Sequence, residues 1–307
     1  MIDFLSSREV FDVPNHRSSH EGRVVRGLGL SPAIVCGTVG AIAASRGAVD
    51  LWTVVAAGTV LALLGFVDDA RGLSVGLRLP VQMAVGVAVS VAILQDGLLS
   101  VPAVISVLWF AGYVNAFNFM DGINGISGTH AAIAGSTWLL AGALTGASTA
   151  AAIGSIVAAG ALGFLPFNFP SARAFLGDVG SYFFGAWLAA GALIIATEIG
   201  IAVAVLPLSL YLSDTGWTLL ARLRRGLPWH QPHRDHVYQR LVRGGWSHAR
   251  TTGVVAAFTL LLGASGFAAS TSGLVGVLVP VVSAVVLNVL YLSVPSLVFD
   301  DVPAVGG

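Results

Sequence analysis

The stretch Asn115-Ala-Phe-Asn118-Phe-Met-Asp121-Gly122-Ile-Asn124-Gly125 closes a long apolar run. A helix end facing lipid does not carry three amides, a carboxylate and clustered glycines unless water or a ligand meets them there. The same layout recurs at other run boundaries. Asp68-Asp69 follows Gly65-Phe-Val, Asp178 lies within Gly177-Asp178-Val-Gly180-Ser181, and His233-Arg234-Asp235-His236 sits in the longest polar stretch. Adjacent carboxylates such as Asp68 and Asp69 repel unless they share a cation or proton, which suits a hard divalent metal or a general base held near one. A solvated pair at a helix end is the structural alternative. Asp178, between glycines just before an apolar run, stands where close backbone approach and a helix N-terminus favour bound anions. Its alternative is an N-cap. Asn115, Asn118, Asp121 and Asn124 recur every third residue, so on a helix they share one face and can read a sugar or a base by directional hydrogen bonds. Polar glue between membrane helices competes with that reading. His233 and His236, with Arg234 between them, can bind a diphosphate by charge and hydrogen bonds, as against a merely basic connecting loop. Three carboxylates and many arginines point to Mg²⁺ with a phosphorylated ligand.

The elements that must position these residues are membrane helices. Hydrophobic residues make up 56% of the chain, charged residues only 10%, and mean hydropathy is +0.86. Soluble domains carry about 25% charged residues. A window of about 20 residues, enough to cross a hydrocarbon core, finds about ten spans, over 27–47, 49–68, 78–96, 99–119, 124–145, 148–168, 181–197, 199–220, 250–270 and 273–294. The expected fold is therefore an all-α polytopic membrane protein, with no soluble domain, repeat or low-complexity linker. The polar start, 1–26, has no apolar core of a signal peptide. Cys36 is the single cysteine and cannot form an internal disulfide, so it carries no redox information.

Orientation follows from arginine, because the chain contains no lysine. With a cytoplasmic N-terminus and alternating spans, every arginine except Arg46 falls on the cytoplasmic side, a strong positive-inside bias. The same alternation places all four polar clusters on that face. A long connection over 221–249, rich in arginine and histidine, is expected there as a substrate loop.

The motifs, in this order, resemble the polyprenyl-phosphate N-acetylhexosamine-1-phosphate transferase superfamily. They run from Asp12-Val-Pro14-Asn15-His-Arg17-Ser-Ser-His20 with Arg26-Gly27-Leu-Gly29, through Gly65 to Asp69, Asn115 to Gly128 and Phe175 to Ser181, to Asp214 and His233 to Leu241. The resemblance implies a single integral membrane transferase domain over 1–307 in the inner (plasma) membrane, with its active site cytoplasmic. It implies transfer of a sugar 1-phosphate from a UDP-sugar to undecaprenyl or decaprenyl phosphate, giving UMP and a lipid-linked glycan precursor. Nucleic acid has no part in this chemistry, and a homodimer is left open. By the same resemblance, Mg²⁺, with Mn²⁺ as a substitute, is held by Asp178, Asp68 and Asp69. Asp68 assists the lipid phosphate as a base or by orienting it. Asn115, Asn118, Asp121, Asn124, His233, Arg234, His236 and Arg78 bind substrate.

This chain departs from the family pattern at several positions. Asn124 stands where many members have a second Asp, Arg78 where lysine is common, and Tyr238-Gln239 where many have further histidines. The version His233-Arg-Asp-His-Val-Tyr-Gln239 is more like transferases that start O-antigen or capsule chains on UDP-linked N-acetylated deoxyhexosamines. Only eleven residues precede the Asp12 motif, where a transmembrane helix is usual. Two other classes remain open: a secondary transporter whose Asp68, Asp121 and Asp178 relay protons, and a catalytically silent scaffold of the same fold.

Overall fold

The computed structural model describes residues 11–12, 24–25, 27–48, 50–94, 100–228, 231, 233–270 and 274–299. The motif from Pro14 to His20 and Arg26 lie outside the described residues. What is described before Gly27 is a two-residue antiparallel ladder, β1 (Phe11–Asp12) with β2 (Val24–Val25), in which Asp12 faces Val24. From there on the chain is helical: α1 (Leu30–Ser45), α2 (Leu51–Arg71), α3 (Val75–Leu94), α4 (Val101–Met120), α5 (Ile126–Thr145), α6 (Ser148–Asn168) and α7 (Gly177–Glu198). Then come α8 (Ile201–Val205), a 3₁₀ turn (Leu206–Leu208), α9 (Ser209–Arg224), α10 (Val237–Arg243), α11 (His248–Ser270) and α12 (Leu274–Val298).

All ten expected spans coincide with helical segments, and the all-α polytopic reading holds. Among the described residues, however, eight segments rather than ten are long and apolar enough to cross a membrane. The two others differ for separate reasons. α1, at 16 residues, is short. α5 carries Ser127, Thr129, His130, Ser136 and Thr137, yet its packing against α6 and α11 hides most of these from lipid.

The layers are ordered by burial. In α7, 89% of the spanning window is buried, against 22% in α3 and in the span at the C-terminal end. α7 is thus the central post, wrapped by α2, α4, α6 and α1. Helices in lipid gain little from apolar contact and pack where small residues let backbones touch. Gly65 does this for α2 and α7: a β-carbon there would lie 2.2 Å from the Asp178 carbonyl oxygen. Gly154 does it for α6 and α5, where a β-carbon would lie 2.4 Å from the Leu139 nitrogen.

The span expected over 199–220 is broken after Val205. Pro207 has no N–H to give to the carbonyl of Val203, which would otherwise be orphaned in an apolar setting. The Trp138 indole of α5 donates to that carbonyl at 3.0 Å, and Trp138 is fully buried. Replacing Trp138 by Phe keeps the ring but removes the donor. The expected cost is about 1–3 kcal/mol, seen as a lower melting temperature in detergent. An unchanged melting temperature would show that water or a neighbouring group already serves this carbonyl.

Candidate active site

The first turn of α7 is the meeting point. Gly177 sits at φ +71°, and a β-carbon on it would come 2.7 Å from an Asp69 oxygen, so glycine is required on both counts. The Asp69 carboxylate spans this turn: Oδ1 accepts from the Asp178 N–H at 3.0 Å and Oδ2 from the Val179 N–H at 3.0 Å. Two of the four orphan N–H groups of the helix are satisfied by one negative charge at its positive end. Asp178, in the same turn, has Oδ1 accepting from Asn118 Nδ2 at 2.8 Å, and that amide also reaches Ser181 Oγ at 2.9 Å.

Asp69 is in this place because α2 runs three residues further than expected. The acidic pair reads in sequence as the helix end. The helix instead continues to Arg71 and stops at Gly72, which takes the left-handed conformation at φ 65° and returns its N–H to the Asp68 carbonyl. Asp68 is 5% exposed. Its Oδ2 accepts from Tyr182 OH at 2.7 Å and Arg78 Nη1 at 2.9 Å, and its Oδ1 from the Leu73 N–H at 2.7 Å. Arg78 Nη1 also donates to Tyr182 OH at 3.1 Å. The two neighbouring aspartates are therefore engaged separately, one as a helix cap and one in an ion pair. Among the described residues, no group of three or more His, Cys, Asp or Glu side chains is arranged to hold a metal ion.

The expected loop over 221–249 is shorter than it reads in sequence, because α9 runs to Arg224, α10 folds inside it and α11 starts at His248. Asp214 on α9, fully buried, organises this region. It accepts from the Val237 N–H at 3.1 Å, from Tyr291 OH at 2.9 Å and from Thr218 Oγ1 at 3.3 Å, and His236 Nδ1 lies 3.0 Å away. A carboxylate only accepts, so His236 carries its proton on Nδ1 and leaves Nε2 for other work. Arg222 and Asp235 form a buried ion pair, Arg222 Nη2 holds the Pro228 carbonyl at 3.0 Å, and Tyr238 OH donates to the Phe119 carbonyl at 2.9 Å. These bonds tie the loop over the end of α4. Burial pushes the His233 imidazole down to about 4, with His236 and Arg222 acting in the same direction and Asp235 and Asp214 opposing. Its Nδ1 is 3.8 Å from Asp235, too far for a hydrogen bond.

Between this loop and the helices lies a cavity of about 610 Å³. Arg78, Asn115 and Asn118 line it from α3 and α4, and His233, His236 and Gln239 from the loop. Leu79, Phe119, Leu212 and Leu219 make the rest apolar. The structure thus brings Arg78, Asn115, Asn118, His233 and His236 to one space, with Asp68 bonded to Arg78 and Asp178 to Asn118. It does not keep the four-residue polar face intact. α4 ends at Met120, Asp121 is its C-cap, and Asn124 turns away to donate to the Pro170 carbonyl at 3.1 Å. Asp68, Asp69 and Asp178 lie outside the cavity lining, as do Asp121 and Arg234, whose charges act on the buried Tyr238 hydroxyl. Sequence reasoning missed Tyr182 and Gln82, both inside apolar runs. Gln82 is fully buried and accepts from Asn115 Nδ2 at 2.5 Å. An amide in the middle of an apolar span was the available signal for Gln82.

Comparison with known proteins now bears on this geometry. Residues 51–196 match the model of glycosyl transferase family 4. That stretch carries Asp68, Asp69, Arg78, Asn115, Asn118 and Asp178, whereas the histidine loop lies beyond it. The chain is 28% identical over 262 residues to a protein of Bacillus subtilis named probable undecaprenyl-phosphate N-acetylglucosaminyl 1-phosphate transferase, covering 80% of this chain and 73% of that one. It is 30% identical over 213 residues to the undecaprenyl-phosphate alpha-N-acetylglucosaminyl 1-phosphate transferase of Thermotoga maritima, covering 67% and 66%. Against the decaprenyl-phosphate N-acetylglucosaminephosphotransferase of Mycobacterium tuberculosis, identity is 29% over 322 residues, covering 84% and 74%. With the ordered motifs, these likenesses establish the chain as a multi-pass membrane member of the polyprenyl-phosphate N-acetylhexosamine-1-phosphate transferase superfamily.

Proposed function

We propose that this protein transfers a sugar 1-phosphate from a UDP-sugar to a polyprenyl phosphate at the cytoplasmic face of the plasma membrane. An oxygen of the acceptor phosphate attacks the sugar-bearing phosphorus, the diphosphate P–O bond breaks, and UMP leaves. The observation that carries this reading is the cavity itself. Its lining combines the polar Arg78, Asn118 and His236 with apolar side chains of α3, α4 and α9. Such a space suits a phosphate on a hydrocarbon tail. N-acetylated hexosamines or deoxyhexosamines are the donors we assign, on the version of the histidine motif.

Arg78 is positioned to hold the acceptor phosphate. Asp68, whose oxygens are taken by Arg78, Tyr182 and a backbone N–H, keeps that guanidinium in place. His236, fixed by Asp214, presents Nε2 to the donor diphosphate. Mg²⁺ is commonly bound through one or two carboxylates plus substrate phosphates and keeps several waters. Asp178 fits that pattern as its protein ligand, whereas Asp69 is committed to capping α7 and Asp68 to Arg78. Bound there, the ion would offset charge on the diphosphate during transfer. A phosphate acceptor needs no base to be nucleophilic, so alignment and charge carry the rate.

The test is incubation of purified protein with polyprenyl phosphate, Mg²⁺ and a panel of UDP-sugars, with UMP as the readout. No UMP from any donor, with the protein folded, would refute the reading. Asp178→Asn is expected to lower turnover by about 100-fold or more, as loss of one electrostatic group commonly does, while leaving the melting temperature unchanged. EDTA should stop the wild-type reaction, and Mg²⁺ or Mn²⁺ should restore it. Undiminished turnover of the Asn variant would remove Asp178 from the metal site.

The loop makes a separate prediction through His233. Its folded value of about 4 lies below the unfolded value of 6.5. As pH falls, the unfolded chain therefore takes up the proton first. The stability this group supports is complete above pH 6.5 and declines between 6.5 and 4. Thermal unfolding across that window should show His233→Gln losing less stability on acidification than wild type does. Parallel curves for the two proteins would place His233 in solvent.

A further inference from the structure

A second cavity, of about 660 Å³, lies away from the carboxylates between α1 and α6. It runs from Leu28, just before α1, along that helix to Val39, and along α6 from Ile156 to Phe167. At 1.5 Å per residue its α1 wall is about 16 Å long, about half of a hydrocarbon core of ~30 Å. The groove is therefore about one leaflet deep. Its walls are apolar apart from Ser31, until Arg173 at the mouth.

Arg173 is exposed and lies at the end of the bundle where α7 begins. Its guanidinium sits 5.2 Å over the Phe167 ring, and Nη2 reaches the Pro166 carbonyl at 3.3 Å. No carboxylate among the described residues pairs with it. A permanent cation at the mouth of a leaflet-deep apolar groove matches a phosphate headgroup followed by an acyl chain.

The occupant is separated from the reacting cavity. Leu28 and Gly29 bond through their N–H groups to the Phe175 and Leu176 carbonyls at 3.1 Å each. A β-carbon on Gly29 would lie 2.3 Å from the Leu176 oxygen and 2.5 Å from the Gly180 α-carbon, so no chain passes between α1 and α7 there. The two cavities have no lining residue in common. We propose that the α1–α6 groove is the seat of one resident anionic phospholipid, its phosphate on Arg173 and one acyl chain along the groove, separate from the lipid that reacts.

Native mass spectrometry of the delipidated protein, titrated with phosphatidylglycerol or with phosphatidylcholine of the same chains, tests this. Wild type should retain one phosphatidylglycerol per chain, about tenfold more tightly than phosphatidylcholine, whose phosphate is the same but whose choline cation offsets its charge and repels the guanidinium. Arg173→Gln should erase the preference while keeping chain binding. Gly163 lines the groove, and a β-carbon there meets nothing within 4 Å. Gly163→Leu should fill the groove and abolish binding of both lipids. If that variant fails to fold, Ala159→Leu, exposed on the same wall, gives the same reading. Equal binding of the two lipids by wild type, or undiminished phosphatidylglycerol binding by a filled variant, would overturn the proposal. So would a photocrosslinker on Gly163→Cys, in a Cys36→Ala background, that joins residues 1–10 or a second copy of the chain in place of lipid.

Discussion

The contact between α2 and α7 is the constraint on which the site depends. Gly65 lets the two backbones touch, and that contact puts Asp69 level with the first turn of α7. A helix end in a membrane protein leaves N–H groups that lipid cannot serve. Here a carboxylate from the neighbouring helix serves two of them, which fixes both the height and the rotation of α7. Asp178, Ser181 and Tyr182 then face Asn118 and Asp68 because they ride on that helix. A bulkier residue at 65 or 177 would separate the carboxylate from the turn and displace all three.

The second organising device is a buried acid, Asp214, which acts on a loop as Asp69 acts on a helix. It gathers the Val237 N–H and His236 at the start of α10, and Tyr291 of α12, onto α9. Leaving one member of such a buried set without its hydrogen bond typically costs about 1–3 kcal/mol. The Arg222–Asp235 pair and the Tyr238 bond to Phe119 add two further ties. The His236 imidazole on this loop is thus held in one orientation.

Much of this was legible in the chain and some was not, for identifiable reasons. Apolar run length alone located the helices, and the expected 148–168 coincides with α6. Charge misled at two boundaries. Asp68-Asp69 read as the end of α2, although Arg71-Gly72 carried the true C-cap signal, and Asp178 read as preceding α7 when it lies in its first turn. The threefold spacing of Asn115, Asn118, Asp121 and Asn124 implied a single face, but periodicity is informative only while the helix lasts, and it ends at Met120. Partners such as Tyr182 and Gln82 sit in apolar runs where only neighbouring helices give them meaning. Asp214 was visible as a motif position, but its work on His236 and Val237 depends on a fold that brings together residues more than twenty apart.

The arrangement also bears on how acids are divided in the proposed reaction. Three aspartates at one interface invite the reading of a shared metal, because like charges need a cation. The structure offers each a different means of relief: two backbone N–H groups for Asp69, an arginine and a tyrosine for Asp68, an amide for Asp178. Fixed donors remove the need for one ion to neutralise all three. In the proposed reaction Asp178, together with the substrate's own phosphates, would hold such an ion, which would offset the charge of the diphosphate. Under the proposed function, metal affinity in the absence of nucleotide would be weak, and nucleotide and metal would reinforce each other's binding.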